Sequence, residues 1–89
     1  MFTVELFKKA MNLLNEKSEY ASQCDEYFEN HPMDEDAEAA FDKAWEEENR
    51  AFVWAAEVLS HLINIDERTA RTMIRTKGNE IMKTLERVA

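Results

Sequence analysis

Residues 37–62 read AEAAFDKAWEEENRAFVWAAEVLSHL, and this stretch decides the fold. Positions 37, 41, 44, 48, 51, 55, 58 and 62 follow a 4-3-4-3 spacing, and all of them are apolar except Glu48. This spacing places the residues on one face of an α-helix. Because the pattern is so regular over this length, it indicates a long helix that packs against another helix as in a coiled coil. We predict that this helix covers residues 34–63.

The residues before this stretch carry a second helical pattern. One face of a predicted helix over residues 4–30 holds Phe7, Met11, Leu14, Ala21 and Phe28. The dipeptide His31-Pro32 ends this helix, because the residue before a proline is disfavoured in the α region. The connection to the next helix is short, so the two helices must be antiparallel neighbours and form a hairpin.

A third helix is predicted over residues 67–88, with Asp66 as its N-cap. Its apolar stripe consists of Ala70, Ile74, Ile81, Leu85 and Val88. The stripe continues in phase through Gly78, which predicts one unbroken helix with Gly78 at a close-packing position. The expected fold is therefore all-α: an antiparallel three-helix bundle, made of a long helical hairpin plus a third helix, in a single domain of residues 1–89.

The antiparallel hairpin predicts a polar layer inside the bundle. Pairing the two helices about their turn brings Lys17 and Ser18 opposite Glu48, the polar interruption of the second stripe. A buried polar layer of this kind can fix the register of paired helices. The alternative is that Glu48 lies at the edge of the seam and reaches water, since long charged side chains can extend out of a seam.

Residues 51–56 read AFVWAA and are apolar on every side of the predicted helix. A helix that is apolar all round is buried all round, and a three-helix monomer cannot easily cover both flanks. We therefore expect self-association, with a dimer favoured or a protein partner in its place. The surface predicted for this contact comprises Val53, Trp54, Glu57 and His61. The alternative is that the third helix covers Trp54 and that Val53 is an isolated exposed residue.

Charge is distributed unevenly along the chain. Residues 66–89 hold six Lys or Arg against four acids, whereas residues 1–65 hold five bases against fifteen acids, and the net charge is −8. Three explanations are open: the basic segment packs on the acidic one, it faces an anion, or the acidic surface faces a positive partner. The single cysteine, Cys24, suits a reducing cytoplasm. We expect a cytoplasmic protein with no signal peptide and no membrane segment.

Catalytic patterns are not found in the sequence. There is no glycine-rich phosphate loop and no nucleophile elbow, and the two histidines lack the partner spacing of a metal site. We predict that the protein is not an enzyme and that it binds no metal and no cofactor.

The stretch of residues 59–74, LSHLINIDERTARTMI, resembles the helix-turn-helix of bacterial regulators. Asn64 stands at the usual turn glycine, Ile65 at the apolar turn position and Asp66 at the cap. The resemblance implies DNA binding by a segment of residues 59–77. The residues that would then contact nucleic acid are Arg68, Thr69, Arg71, Thr72, Arg75 and Lys77. A net charge of −8 weighs against this hypothesis.

The short acidic chain with a basic end is also similar in composition to small accessory proteins of bacterial phages and mobile elements. An acidic hairpin could imitate nucleic-acid phosphates and occupy a basic groove on another protein. The function that the sequence favours is nevertheless broader than either alternative. We predict a small acidic, non-enzymatic interaction or regulatory protein that acts through the surfaces of a helical bundle.

Overall fold

The computed structural model describes residues 1–88 and consists of three helices: α1, Val4–Asn30, α2, Glu35–Leu62, and α3, Glu67–Val88. The first two form a long antiparallel hairpin, and α3 packs against both of them. Within residues 1–88 there is no β-strand. The predicted all-α three-helix bundle is thus confirmed, and each helix boundary lies within one residue of its expected position.

Short polar side chains begin each helix. The Oγ1 atom of Thr3 accepts a hydrogen bond of 3.1 Å from the backbone N–H of Leu6. Asp34 Oδ1 caps α2 by accepting from the N–H of Asp36 at 2.9 Å. Asp66 caps α3 and accepts from both the N–H and the hydroxyl of Thr69, and these hydrogen bonds lower the pKa of the Asp66 carboxyl. Each cap satisfies a backbone donor that has no partner inside the helix.

The core is thin at one end of the hairpin and broad at the other. The largest fully buried side chains are Phe7, Met11, Val58 and Leu59. All four lie near the end where α3 joins the hairpin. Towards the other end the buried positions of α2 are alanines, namely Ala37, Ala44 and Ala51. Small residues let α1 and α2 approach closely there, but they contribute little buried apolar surface.

α3 is bent at Lys77, so the prediction that it continues unbroken through Gly78 was wrong. Lys77 has φ −144° and ψ 25°, which is outside the helical region. Gly78 is buried directly after it, and a Cβ atom there would lie 2.8 Å from Cε of Met11. The prediction that Gly78 is a close-packing position is confirmed. Apolar periodicity did not reveal the bend, because the apolar stripe is in phase on both sides of it.

The two halves of α3 follow different neighbours. In the first half, residues 67–76, the Arg75 guanidinium lies over the ring of Phe52 at 5.4 Å, so this half runs back along α2. In the second half, residues 78–88, Asn79 Oδ1 accepts a hydrogen bond of 2.8 Å from Asn15 Nδ2, and Glu86 forms a salt bridge of 3.3 Å with Lys8. The second half therefore runs towards the amino-terminal end of α1.

Because of this bend, α3 covers only one end of the hairpin. The molecule is elongated, with extents of 48 × 22 × 21 Å. Within residues 1–88, the hydrogen bonds, ion pairs and cation–π contacts between α3 and the hairpin reach no farther towards the hairpin turn than Asn15 on α1 and Phe52 on α2. We call residues 16–49, the hairpin from this level to its turn, the arm.

Candidate functional site

The arm concentrates the acidity of the whole chain. Residues 16–49 contain thirteen acids against two bases, a balance of −11, and the rest of the chain contains nine bases against six acids, a balance of +3. The division between acidic and basic parts therefore lies between the arm and the rest of the molecule. Sequence order alone had placed it near residue 65. Like charges crowded along a two-helix projection create a field that attracts positive partners.

Aromatic side chains follow one face of α2, which α3 covers at Phe52 and leaves uncovered towards the hairpin turn. Phe41, Trp45 and Phe52 are spaced by four and seven residues, so they lie on one side of the helix. Trp45 is 57% exposed, whereas Phe41 and Phe52 are partly buried. Phe41 also stacks on Phe28 of α1, with ring centroids 5.9 Å apart. We call Phe41, Trp45 and Phe52 the aromatic stripe. Trp45 was missed at the sequence level, although its spacing from Phe41, Glu48 and Phe52 carried the signal.

An open groove lies where the aromatic stripe meets the bend of α3. Its volume is about 570 Å³. It is lined by Met11, Leu14, Asn15 and Ser18 of α1, by Trp45, Glu48, Asn49 and Phe52 of α2, and by residues 74–80 of α3. Apolar side chains thus come together with carboxylates and with Arg75 and Lys77. A groove of this size and mixed lining can accept an apolar side chain with charged neighbours.

The predicted polar layer is only partly present. Lys17 Nζ binds Glu47 Oε2 at 3.1 Å, and it does not bind Glu48. Neighbouring residues point about 100° apart on a helix, which places Glu47 and Glu48 on different sides of α2. Ser18 and Glu48 instead line the groove on the side of α3. Lys17, which the hairpin register places opposite Glu48, thus pairs with the adjacent Glu47, while Ser18 and Glu48 line the same groove.

The four residues predicted as a self-association surface lie on the carboxyl-terminal half of α2. Val53 is 37% exposed, and Trp54 is partly buried against the core. Glu57 and His61 are exposed, and the His61 ring stacks on Phe2 at 4.3 Å between centroids. Trp54 is therefore partly covered by other residues of the same chain. Of the two tryptophans, Trp45 is the one that presents most of its surface to solvent.

The six candidate nucleic-acid contacts are all exposed on α3: Arg68, Thr69, Arg71, Thr72, Arg75 and Lys77. Several of them already have partners inside the molecule. The hydroxyls of Thr69 and Thr72 donate to Asp66 and to the carbonyl of Arg68, and Arg71 lies 3.6 Å from Glu67.

The arrangement of α2 and α3 also bears on the helix-turn-helix resemblance. Asn64 takes a left-handed conformation with φ 55°, as the turn position of that motif requires. The first half of α3 nevertheless lies back along α2, whereas the helices of a DNA-binding helix-turn-helix cross at about 90–120°.

Across residues 1–88 no three His, Cys, Asp or Glu side chains are placed to hold a metal ion together. On the arm, hydrogen bonding with Cys24 raises the pKa of the Tyr20 phenol above its usual value. None of the helices described is both long and apolar enough to cross a membrane.

A comparison with protein-family models, with curated proteins and with solved structures finds no match to this chain. The function proposed below therefore depends on the physical chemistry of the residues described above.

Proposed function

We propose that this chain is a small, non-enzymatic interaction protein whose acidic arm docks onto a positively charged surface of another protein. The observation that carries the proposal is the charge of −11 on residues 16–49, which form a two-helix projection. Complementary charge accelerates association and selects among partners, while affinity depends on a few apolar anchors. The exposed aromatic side chains of the arm supply such anchors.

The aromatic residues of the arm distinguish it from a merely solvated acidic surface. Trp45 and Tyr27 are 57% and 51% exposed, although each is a large side chain. Tyrosine and tryptophan are enriched at interfaces because they offer apolar area together with a polar group. A tryptophan or tyrosine ring among carboxylates is also a favourable site for Lys or Arg, since the ring face attracts a cation.

The proposed setting is the cytoplasm. Cys24 is unpaired and partly buried in the arm. A free thiol persists most readily in a reducing compartment. A basic protein or nucleic-acid-binding protein of the same compartment would be the natural partner for the arm.

Removing charge from the arm is expected to weaken the binding of a cationic probe. The probe is a flexible, fluorescein-labelled peptide of Lys, Gly and Ser, followed by fluorescence anisotropy at several salt concentrations. The double variant Glu38→Gln, Asp42→Asn is expected to bind it several-fold more weakly and with a shallower salt dependence. Both residues are exposed, so the substitutions should leave the fold intact.

The matched control removes the same charge from outside the arm. Glu5→Gln, Glu57→Gln also raises the net charge by two and alters exposed side chains, but these residues lie at the other end of the molecule. We expect this control to bind the probe as the unmodified protein does. Equal weakening in the two double variants would show that only net charge matters, and it would contradict docking by the arm.

The same charge segregation favours one second candidate, an acidic mimic of nucleic acid. In that case the arm would occupy a groove that otherwise holds phosphates, and a basic partner could not bind this protein and DNA together. Competition between this protein and a duplex DNA oligonucleotide for one isolated partner would identify mimicry. Simultaneous binding of both would exclude it.

We also propose that the protein self-associates through the flank of α2 that carries Val53. Val53→Glu is expected to shift the association equilibrium towards the monomer of 10.5 kDa, because it places a charge in an apolar contact. Light scattering over a range of concentrations measures the molar mass directly. The control is Val88→Glu, the same substitution at a valine that is 76% exposed. An equal mass for both variants would contradict an interface at Val53.

A further inference from the structure

We propose that the groove and the aromatic stripe bind a basic amphipathic helix of a partner protein, in the place that a straight third helix would take. This inference rests on the proposed function of the arm and specifies the form of the partner. It follows from three features of the molecule: the bend of α3, the lining of the uncovered face, and the charge around it.

The bend of α3 leaves a helix-sized space on the hairpin. The first half of α3 packs along α2 as far as Phe52, and the chain then turns away at Lys77. Had α3 continued straight, its next turns would have covered Trp45 and Phe41. The apolar face of the bundle therefore continues beyond the end of its own third helix.

The lining of this space suits a helix. On α2 the aromatic stripe places Trp45 about 10.5 Å along the helix from Phe52, since each residue advances about 1.5 Å. Two turns of a bound helix span that distance and would present residue i to Trp45 and residue i+7 to the part of the Phe52 ring that Arg75 leaves accessible. On α1, Ser18 lines the groove and the exposed Ser22 follows one helical turn later, and such short side chains allow another helix to approach closely.

The charge around the space selects the partner. Glu38, Asp42 and Glu48 lie beside the aromatic stripe within an arm of net charge −11, and the cations of the groove, Arg75 and Lys77, lie only at its α3 end. Lys or Arg on the flanks of a bound helix would meet these carboxylates, while its apolar residues met the rings. A second copy of this chain fits less well, because pairing two arms would bring two charges of −11 together.

A pair of peptides tests the inference. The first is an 18-residue fluorescein-labelled peptide of Leu and Lys, with Leu at positions i, i+3, i+4 and i+7 so that a helix is amphipathic. The second has the same composition in scrambled order and thus the same charge without the apolar face. We expect the amphipathic peptide to bind at least about tenfold more tightly than the scrambled one in anisotropy titrations at physiological salt.

Two aromatic substitutions locate the binding site. Trp45→Ala is expected to weaken the binding of the amphipathic peptide by about tenfold or more, as loss of a central anchor does. Tyr20→Ala removes an equally exposed ring from a different side of the same arm, near Lys17 and Glu47, and should change the affinity less than about twofold. Neither substitution alters the charge of the arm at neutral pH.

A spectroscopic measurement avoids any effect of Trp45→Ala on folding. In a Trp54→Phe background the emission comes from Trp45 alone, and its burial under the amphipathic peptide should shift the emission to shorter wavelength. No shift on saturation with peptide would overturn the placement of the helix on Trp45.

The outcomes separate the two proposals. Both proposals are supported if the amphipathic peptide binds more tightly than the scrambled one and if Trp45→Ala, but not Tyr20→Ala, lowers its affinity. Equal binding of the two peptides overturns the proposal that the groove binds an amphipathic helix, but it is compatible with docking by the arm. Equal losses of affinity in Trp45→Ala and Tyr20→Ala also overturn the proposal that the groove binds the helix. If neither peptide binds even at low salt, both proposals are wrong.

Discussion

Replacing Phe7 by alanine is expected to lower the free energy of unfolding by about 3–5 kcal/mol. The Phe7 side chain is fully buried and is among the largest buried side chains of the core. Its loss removes apolar contacts from α1 and leaves a cavity in the broad end of the core. Small domains are stable by about 5–15 kcal/mol in total, so this one substitution removes a large part of the stability.

Urea denaturation followed by far-UV circular dichroism measures the effect. The control is Phe2→Ala, the same substitution at a residue that is 38% exposed. Phe2 stacks on His61 near the same end of the bundle, so its loss should cost at most about 1.5 kcal/mol. Similar losses in the two variants would show that the core near Phe7 is not packed as described.

The hairpin could be predicted from sequence because its information is local and repeated. The 4-3 spacing of residues 37–62 fixed the buried face of α2, and Ala37, Ala44, Ala51, Ala55 and Val58 are indeed buried. Pro32 and the acidic caps located the turn to within one residue. Antiparallel pairing followed from the short connection alone, since two helices joined so closely have no other way to pack.

The course of α3 could not be predicted in the same way. Periodicity reports which side of a helix is apolar, but it does not report where the helix axis turns. The stripe of Ala70, Ile74, Ile81 and Leu85 is satisfied equally by a straight helix on the hairpin and by a bent one. The bent helix places Gly78 against Met11, and apolar periodicity does not report a contact between two residues so distant in sequence.

Because the course of α3 could not be predicted, the candidate site could not be located from sequence either. Trp54 drew attention because its neighbours in sequence are apolar, yet it packs on the core, and Trp45 among three glutamates is the exposed one. Which flank of α2 remains open depends on where α3 lies, and that was not contained in the pattern of α2. The acidity of the chain was evident from composition, but its restriction to one projecting arm required the position of the bend.

Replacing Gly78 by leucine is expected to destabilise the protein by about 1–3 kcal/mol, in the manner of an overpacked core. A Cβ at this position would lie 2.8 Å from Cε of Met11 and 3.3 Å from Cγ2 of Ile74, and a leucine carries three further carbon atoms into the same space. We expect the leucine to displace the flexible end of the Met11 side chain and to push the second half of α3 away from α1. Its links to α1, Asn79 with Asn15 and Glu86 with Lys8, should then be lost together. Hydrogen exchange of residues 79–86 should accelerate more than that of the hairpin.

Two further variants show whether the contact with Met11 is the cause. Lys83→Leu introduces the same side chain at an exposed position of the same half-helix and should change stability by less than about 0.5 kcal/mol. In the double variant Gly78→Leu, Met11→Ala, the shortened side chain makes room for the leucine. The double variant should therefore be more stable than the sum of the two single effects predicts, with a coupling of about 0.5–3 kcal/mol. Strictly additive effects would mean that Gly78 does not hold α3 against Met11. The bend that opens the groove would then need another cause, such as the backbone of Lys77 itself.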